Sequence, residues 1–146
     1  NRIFGHKKSI ELGRLKNILS SENIEFINLQ YTDEINEINF IEKDLNKKIF
    51  IEHEIDCFND IDGVASLIKS CDFVITVSNS NAHISGKLGV KTFLLLPYND
   101  GKLWYWGSNE DKDVVWYPSI LPIRQESVNN WDSCLSKLYK EFENYL

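Results

Sequence analysis

Methionine does not occur in the 146 residues, proline occurs three times, and no run of apolar residues reaches the length of about 18 that a membrane helix needs. The first absence carries an expectation: a chain that opens on Asn1 and holds no Met reads as an excerpt of a longer protein. Asn1-Arg2-Ile3-Phe4 also lacks the basic-then-apolar layout of a secretory leader. Positive charge is scarce as well, with 16 Lys and Arg against 22 Asp and Glu for a net charge of −6. Proteins that bind nucleic acid neutralise phosphates with clustered cations, so no nucleic-acid partner is expected. Cysteine is limited to Cys57, Cys71 and Cys134, an odd and widely spaced set without Cys-x-x-Cys spacing, and His6, His53 and His83 are scattered. That pattern predicts no metal site and fits reduced thiols in a cytoplasmic protein. Disordered and collagen-like classes are excluded by 42% hydrophobic residues and only seven glycines.

What remains is ordinary globular sequence of about one domain's length, taking roughly 100–200 residues per domain as the prior. Helix-like and strand-like stretches alternate, which predicts an α/β fold with an open parallel sheet and helices on both of its faces. Ile10, Leu12, Leu15, Ile18 and Leu19 predict a helix over 9–20 capped by Ser9. Strands are expected over 24–29 and 48–52, with a helix over 35–45 between them. A helix capped by Asn59 or Asp60 follows, with Ile61, Val64, Ala65, Leu67 and Ile68 as its apolar face. The β-branched run Phe73 to Val77 predicts a strand buried on both faces. After the polar turn Ser78-Asn79-Ser80 come a helix from about Asn81 to Leu88, Gly89 at its C-terminal end, and a buried strand over 90–96 stopped by Pro97. Residues 98–126 read as irregular, and a last helix begins after Asn130 with Trp131, Leu135, Leu138, Phe142 and Tyr145 along one face. No repeat or linker interrupts the chain, so residues 1–146 are expected to form one domain.

Ligands of open α/β sheets bind beyond the C-terminal ends of the strands. The best such place is Ser78-Asn79-Ser80-Asn81, where backbone N–H groups and a helix N-terminus make an anion site and His83 lies one turn on. The same residues would also serve if Ser80 merely capped the helix and His83 packed on its side. A second place is Gly5-His6-Lys7-Lys8-Ser9, where Lys8 either meets a phosphate or lies solvated. At Asp56-Cys57-Phe58-Asn59-Asp60 the carboxylates would repel phosphate, so capping is expected there. Trp104, Tyr105, Trp106, Trp116 and Tyr117 concentrate rings that either stack on a base or sugar or fill the space beneath a long loop. Trp131 is expected in the core.

With these residues in place, the run SLIKSCDFVITVSNSNAHISGKLGVKTFLLLPY resembles the C-terminal domain of two-domain GT-B glycosyltransferases. The resemblance is to the heptosyltransferase-like group and to bacterial glycosyltransferases that follow tetratricopeptide repeats. Ala82, His83, Gly86, Leu88, Gly89 and Pro97 match that pattern in order, and KKSI, FINLQ, WYPSILPIRQ and NNWDSCLSKL resemble its flanks. The resemblance implies one Rossmann-like half of a GT-B fold, with Ser78, Asn79, Ser80 and Asn81 at the diphosphate and sugar of a nucleotide-sugar donor. It implies further that Lys8 neutralises phosphate, that His83 supports the loop or contacts the donor, and that Gln30 frames the nucleotide.

No cofactor beyond that substrate and no metal is implied. The acceptor site and the catalytic base would lie on a preceding domain of the same protein, so no catalytic residue is assigned in this chain, and the isolated domain is expected to be inactive. Two positions depart from the pattern: Ser78 stands where Asp is usual and Asn79 where Thr is usual. A hydroxyl accepts hydrogen bonds more weakly than a carboxylate. The alternative expectation is therefore a degenerate, non-catalytic module used for packing or partner binding. A sugar-nucleotide epimerase would share the architecture but needs a pair of acid/base carboxylates that these residues do not supply.

Overall fold

The computed structural model describes residues 8–31, 35–99 and 103–146. The chain is α/β, with open parallel sheets flanked by helices in a Rossmann-like arrangement. Its described residues fall into two compact units, one formed by Glu11–Val64 and the other by the residues through Ile10 together with Ala65–Leu146.

The first unit holds a two-stranded parallel sheet of β1 (Phe26–Ile27) and β2 (Ile49–Phe50), joined by helix α2 (Ile35–Leu45). Both strands are shorter than the apolar runs predict. The helix expected over 9–20 is a 3-10 turn at Leu12–Leu15 followed by a single α turn, α1 (Lys16–Leu19), and Ser9 does not cap it. Gly13 weakens regular helix there, and the Leu12 amide donates instead to the Glu37 carboxylate at 2.7 Å. Ile38 and Ile41 of α2 and Ile18 and Leu19 of α1 are buried. Helix α3 (Ile61–Ser70) starts where Asp60 accepts a hydrogen bond from the Gly63 amide at 2.8 Å, which settles Asp60 as its cap. Asp56 caps the preceding turn through the Phe58 amide and the Asn59 side chain, and these bonds hold its carboxyl below the usual range.

The second unit is built on a three-stranded parallel sheet in the order β3 (Phe73–Val77), β4 (Lys91–Leu96), β5 (Ile120–Arg124). The central strand β4 is buried along nearly its whole length. Its alternate side chains feed two cores. Phe93 faces Phe142 and Tyr145 of helix α5 (Trp131–Tyr145), at ring separations of 6.0 and 5.8 Å. Leu94 and Leu96 pack with Ala82 of helix α4 (Ser80–Leu88), Trp106, Val114 and Ile120. Side chains alternate across a strand, so α4 and α5 cover opposite faces of this sheet. Asn130 caps α5 by accepting from the Ser133 amide at 3.2 Å, and Trp131 is buried, both as expected.

Strand β5 corrects the reading of residues 98–126 as irregular throughout. Its ladder runs from Thr92 N donating to Ser119 O to Gln125 N donating to Leu96 O. Bonds in a parallel ladder use alternate residues of each strand, so the nitrogen of Pro122 faces away from β4. An edge strand tolerates proline in that position, which is why proline misleads here. No helix among the described residues is long and apolar enough to cross a membrane.

Candidate site at the carboxyl edge of the larger sheet

The turn between β3 and α4 is built by Asn79. Its side chain accepts from the Ala82 amide at 3.2 Å and lies 3.1 Å from the Thr76 hydroxyl, so one amide oxygen ties the helix start to the strand end. Such a cap stabilises a helix by about 1 kcal/mol. The helix therefore begins one residue earlier than its sequence suggests, with Asn79 rather than Ser80 as the cap. Ser80 is exposed on its first turn, and Asn81 is buried. At the other end Gly89 adopts φ +72°, and the Val90 amide returns to Ser85 O at 3.0 Å, a left-handed closure that favours glycine.

Ser78 is 1% exposed and serves two partners. Its carbonyl accepts from the Lys8 ammonium at 2.6 Å, and its hydroxyl accepts from the Trp106 indole N–H at 2.8 Å. A buried indole needs an acceptor, and Ser78 supplies it, so the hydroxyl is turned into the core rather than toward the loop's surface. Lys8 is thus brought to the mouth of the turn. Its ammonium has three donors, of which Ser78 takes one. The neighbours Gly5, His6 and Lys7 lie outside the described residues.

His83 leans on the aromatic segment. Its ring stacks on Trp106 at 4.6 Å, tilts against Tyr105 at 5.0 Å, and its Nδ1 lies 3.1 Å from the Tyr117 hydroxyl. Burial pushes its pKa below the usual histidine range. A neutral imidazole adds no positive charge to the turn, so the packing role fits His83 better than anion contact. Small residues let α4 approach the sheet: a Cβ on Gly86 would come within 2.6 Å of Tyr117 Cγ and 2.8 Å of Ile120 Cδ1.

The five clustered rings divide between the two roles considered for them. Trp106 is fully buried and Tyr105 and Tyr117 pack beside it, whereas Trp104 is 78% exposed and Trp116 54%. Gln30 belongs to the other unit, where its amide closes a turn onto Asn28 Oδ1 at 3.1 Å.

Two residues that the sequence did not single out stand at the same carboxyl edge. Arg124, at the end of β5 and 7% exposed, donates from Nη2 to Trp106 O at 2.6 Å. Gln125, 3% exposed, accepts from the Tyr98 amide at 3.2 Å. Burial lowers the Arg124 pKa, partly opposed by the charge of Asp111. The signal in the sequence is a cation and an amide at the end of the run WYPSILPIRQ, where Pro118 and Pro122 hide the strand that carries them. Among the described residues no group of three or more His, Cys, Asp or Glu could hold a metal ion.

Against known proteins, the chain is similar to Protein FlbA of Caulobacter vibrioides. The two are 29% identical over 121 residues, which covers 83% of this chain and 20% of that protein. The chain thus spans about a fifth of the length of the curated relative it matches. No family model matches it, and no solved structure does.

Proposed function

We propose that this chain is the donor-binding half of a GT-B glycosyltransferase. It holds a nucleoside diphosphate sugar, while the acceptor and the catalytic base belong to a preceding domain of a longer protein, in the manner of the repeat-linked enzymes it resembles. The observation that carries this reading is the Lys8 ammonium, 2.6 Å from the Ser78 carbonyl, at the N-terminus of the nine-residue helix α4. A helix N-terminus and a lysine together form a positive pole for a diphosphate. In the transfer, the bond from the sugar's anomeric carbon to the diphosphate oxygen breaks and a bond to the acceptor oxygen forms. The acceptor's proton goes to the base on the other domain. Negative charge grows on the departing diphosphate, where α4 and Lys8 stabilise it. A cytoplasmic site agrees with this reading, because Cys57, Cys71 and Cys134 are free thiols.

The test is a titration of the chain with UDP, ADP and GDP, followed by NMR. Resonances of Ser78 to His83 are expected to move, and Lys8→Ala to weaken the binding several-fold. Silence of those residues at about 1 mM ligand, the regime of roughly −4 kcal/mol binding, overturns the reading.

A second reading, a non-catalytic module, is favoured by the burial of the Ser78 hydroxyl against Trp106. The variant Ser78→Asp separates the two. A large rise in nucleotide-sugar affinity marks a decayed donor site, whereas unchanged affinity marks a position used for packing alone.

A further inference from the structure

Of the side chains around the β3–α4 turn, His83 is the titratable one to which the reading above gives no chemistry. Aromatic rings hold it on three sides: Trp106 stacks on it, Tyr105 tilts against it, and Tyr117 meets it edge-on with centroids 5.7 Å apart. The imidazole is nevertheless only half-buried. Of its two nitrogens, Nδ1 alone has a hydrogen-bond partner among the described residues, the Tyr117 hydroxyl at 3.1 Å. Nε2 is left over.

Two further observations say what that bond does. First, the place of Tyr117 depends on α4 itself. Gly86 lies one turn after His83 and so on the same side of the helix. A Cβ on Gly86 would come within 2.6 Å of Tyr117 Cγ, so the missing side chain is the seat of the phenol ring. Seated there, the ring brings its hydroxyl to Nδ1. Second, that hydroxyl has no other partner among the described residues. If Nδ1–H donated to it, the phenolic hydrogen would have no acceptor among them; if the phenol donates to Nδ1, that hydrogen is met. Burial favours the neutral imidazole, in which one nitrogen carries a hydrogen and the other a lone pair. A lone pair on Nδ1 places the hydrogen on Nε2.

We propose that Tyr117 is a positioning residue: seated against Gly86, it donates its O–H to His83 Nδ1, holds the imidazole in its Nε2–H form, and so presents an uncharged N–H donor on the first turn of α4. The ligand of that N–H rests on the donor-binding reading above. Lys8 and the positive end of α4 suit phosphate, whereas a neutral N–H matches a neutral oxygen. Nε2–H therefore takes a hydroxyl of the donor's sugar.

Long-range proton–nitrogen NMR reads which imidazole nitrogen carries the hydrogen, and it needs no ligand. In the unsubstituted chain, above the His83 pKa, the hydrogen is expected on Nε2. Tyr117→Phe keeps the ring in its seat without the hydroxyl, and should move the Nδ1 signal and spread the hydrogen over both nitrogens. Gly86→Ala displaces the ring with the hydroxyl intact, and should do the same. Hydrogen on Nδ1 in the unsubstituted chain overturns the positioning role, and this is read even if no variant folds. Ring-nitrogen signals unchanged in Tyr117→Phe overturn it as well.

The ligand is tested by titration with UDP-glucose, ADP-glucose and GDP-mannose, each against its own nucleoside diphosphate. The Nε2–H signal is expected to shift with the sugar nucleotide and not with the diphosphate. Tyr117→Phe should weaken the sugar nucleotide several-fold, the scale of one neutral hydrogen bond, and leave the diphosphate as it was. If the amides of Ser78 to Asn81 respond while Nε2–H stays still, or if the diphosphate alone moves Nε2–H equally, the sugar contact is overturned and the donor reading stands. If Ser78 to Asn81 are silent with every ligand, the donor reading fails and the sugar contact with it. The form of His83 in the ligand-free chain then decides the role of Tyr117 alone.

Discussion

The imidazole of His83 lies flat on the indole of Trp106, with ring centroids 4.6 Å and planes 26° apart. The same indole donates to Ser78 at 2.8 Å, so one buried tryptophan fixes both the first turn of α4 and the loop that precedes it. The geometry of the candidate site is therefore set from a residue 28 positions further along the chain.

This arrangement predicts coupling between Ser78 and Trp106. Ser78→Ala leaves the buried indole N–H without an acceptor, and Trp106→Phe removes the donor. Each should destabilise the chain, and the double variant should fall short of their sum by about 1 kcal/mol, the ordinary net worth of a buried hydrogen bond. Urea denaturation of the four proteins in the cycle measures it, and additive effects would remove Trp106 from its organising role.

Gly86→Ala should destabilise by about 1–3 kcal/mol through overpacking, in spite of the gain in helix propensity. The reason is the 2.6 Å approach that the new methyl would make to Tyr117. Gly13→Ala is the matched control, because its methyl would meet only Ile41 Cδ1 at 3.7 Å. Melting temperatures of the two variants should separate clearly, with Gly13→Ala near the parent.

The depressed pKa of His83 gives a pH dependence of definite sign. The unfolded chain binds a proton at His83 at higher pH than the folded chain does. The contribution is thus fully present above the ordinary histidine value of about 6.5 and is lost as pH falls from there through the folded pKa. His83→Gln should flatten the acid side of the stability profile in that window. An unchanged profile, measured by denaturation at a series of pH values, would contradict burial as the cause.

Asn79→Ala should cost about 1 kcal/mol by removing the cap of α4, while Asn79→Asp should retain the cap and gain from the helix dipole. Amide exchange at Ala82, whose N–H the cap receives, is the local measurement. Protection that survives in Asn79→Ala would show that another group holds the turn.

These tests also mark what was legible in the sequence. The strand from Phe73 to Val77 and the helix capped by Asn130 follow from local pattern, because burial on both faces and a 3.6-residue period leave a trace in neighbouring residues. The polar turn after Val77 is legible as the break between a buried strand and a helix, although the residue that caps α4 is Asn79 and not Ser80. The inward orientation of Ser78 was not legible, since it depends on Trp106, and the strand ending in Arg124 was masked by Pro118 and Pro122. The apolar spacing from Ile10 to Leu19 overstates the early helix, because it takes no account of Gly13 and the competing Glu37 carboxylate.

Beneath β5 the thiol of Cys134 is wholly buried, donates to Ile123 O at 3.3 Å, and has its pKa pushed up to about 12 by burial. It can meet an alkylating reagent only when α5 leaves the sheet. Cys57 and Cys71 are half-buried and closer to solvent. The chain thus carries its own clock: the slow phase of thiol labelling times the undocking of its last helix, with no probe added.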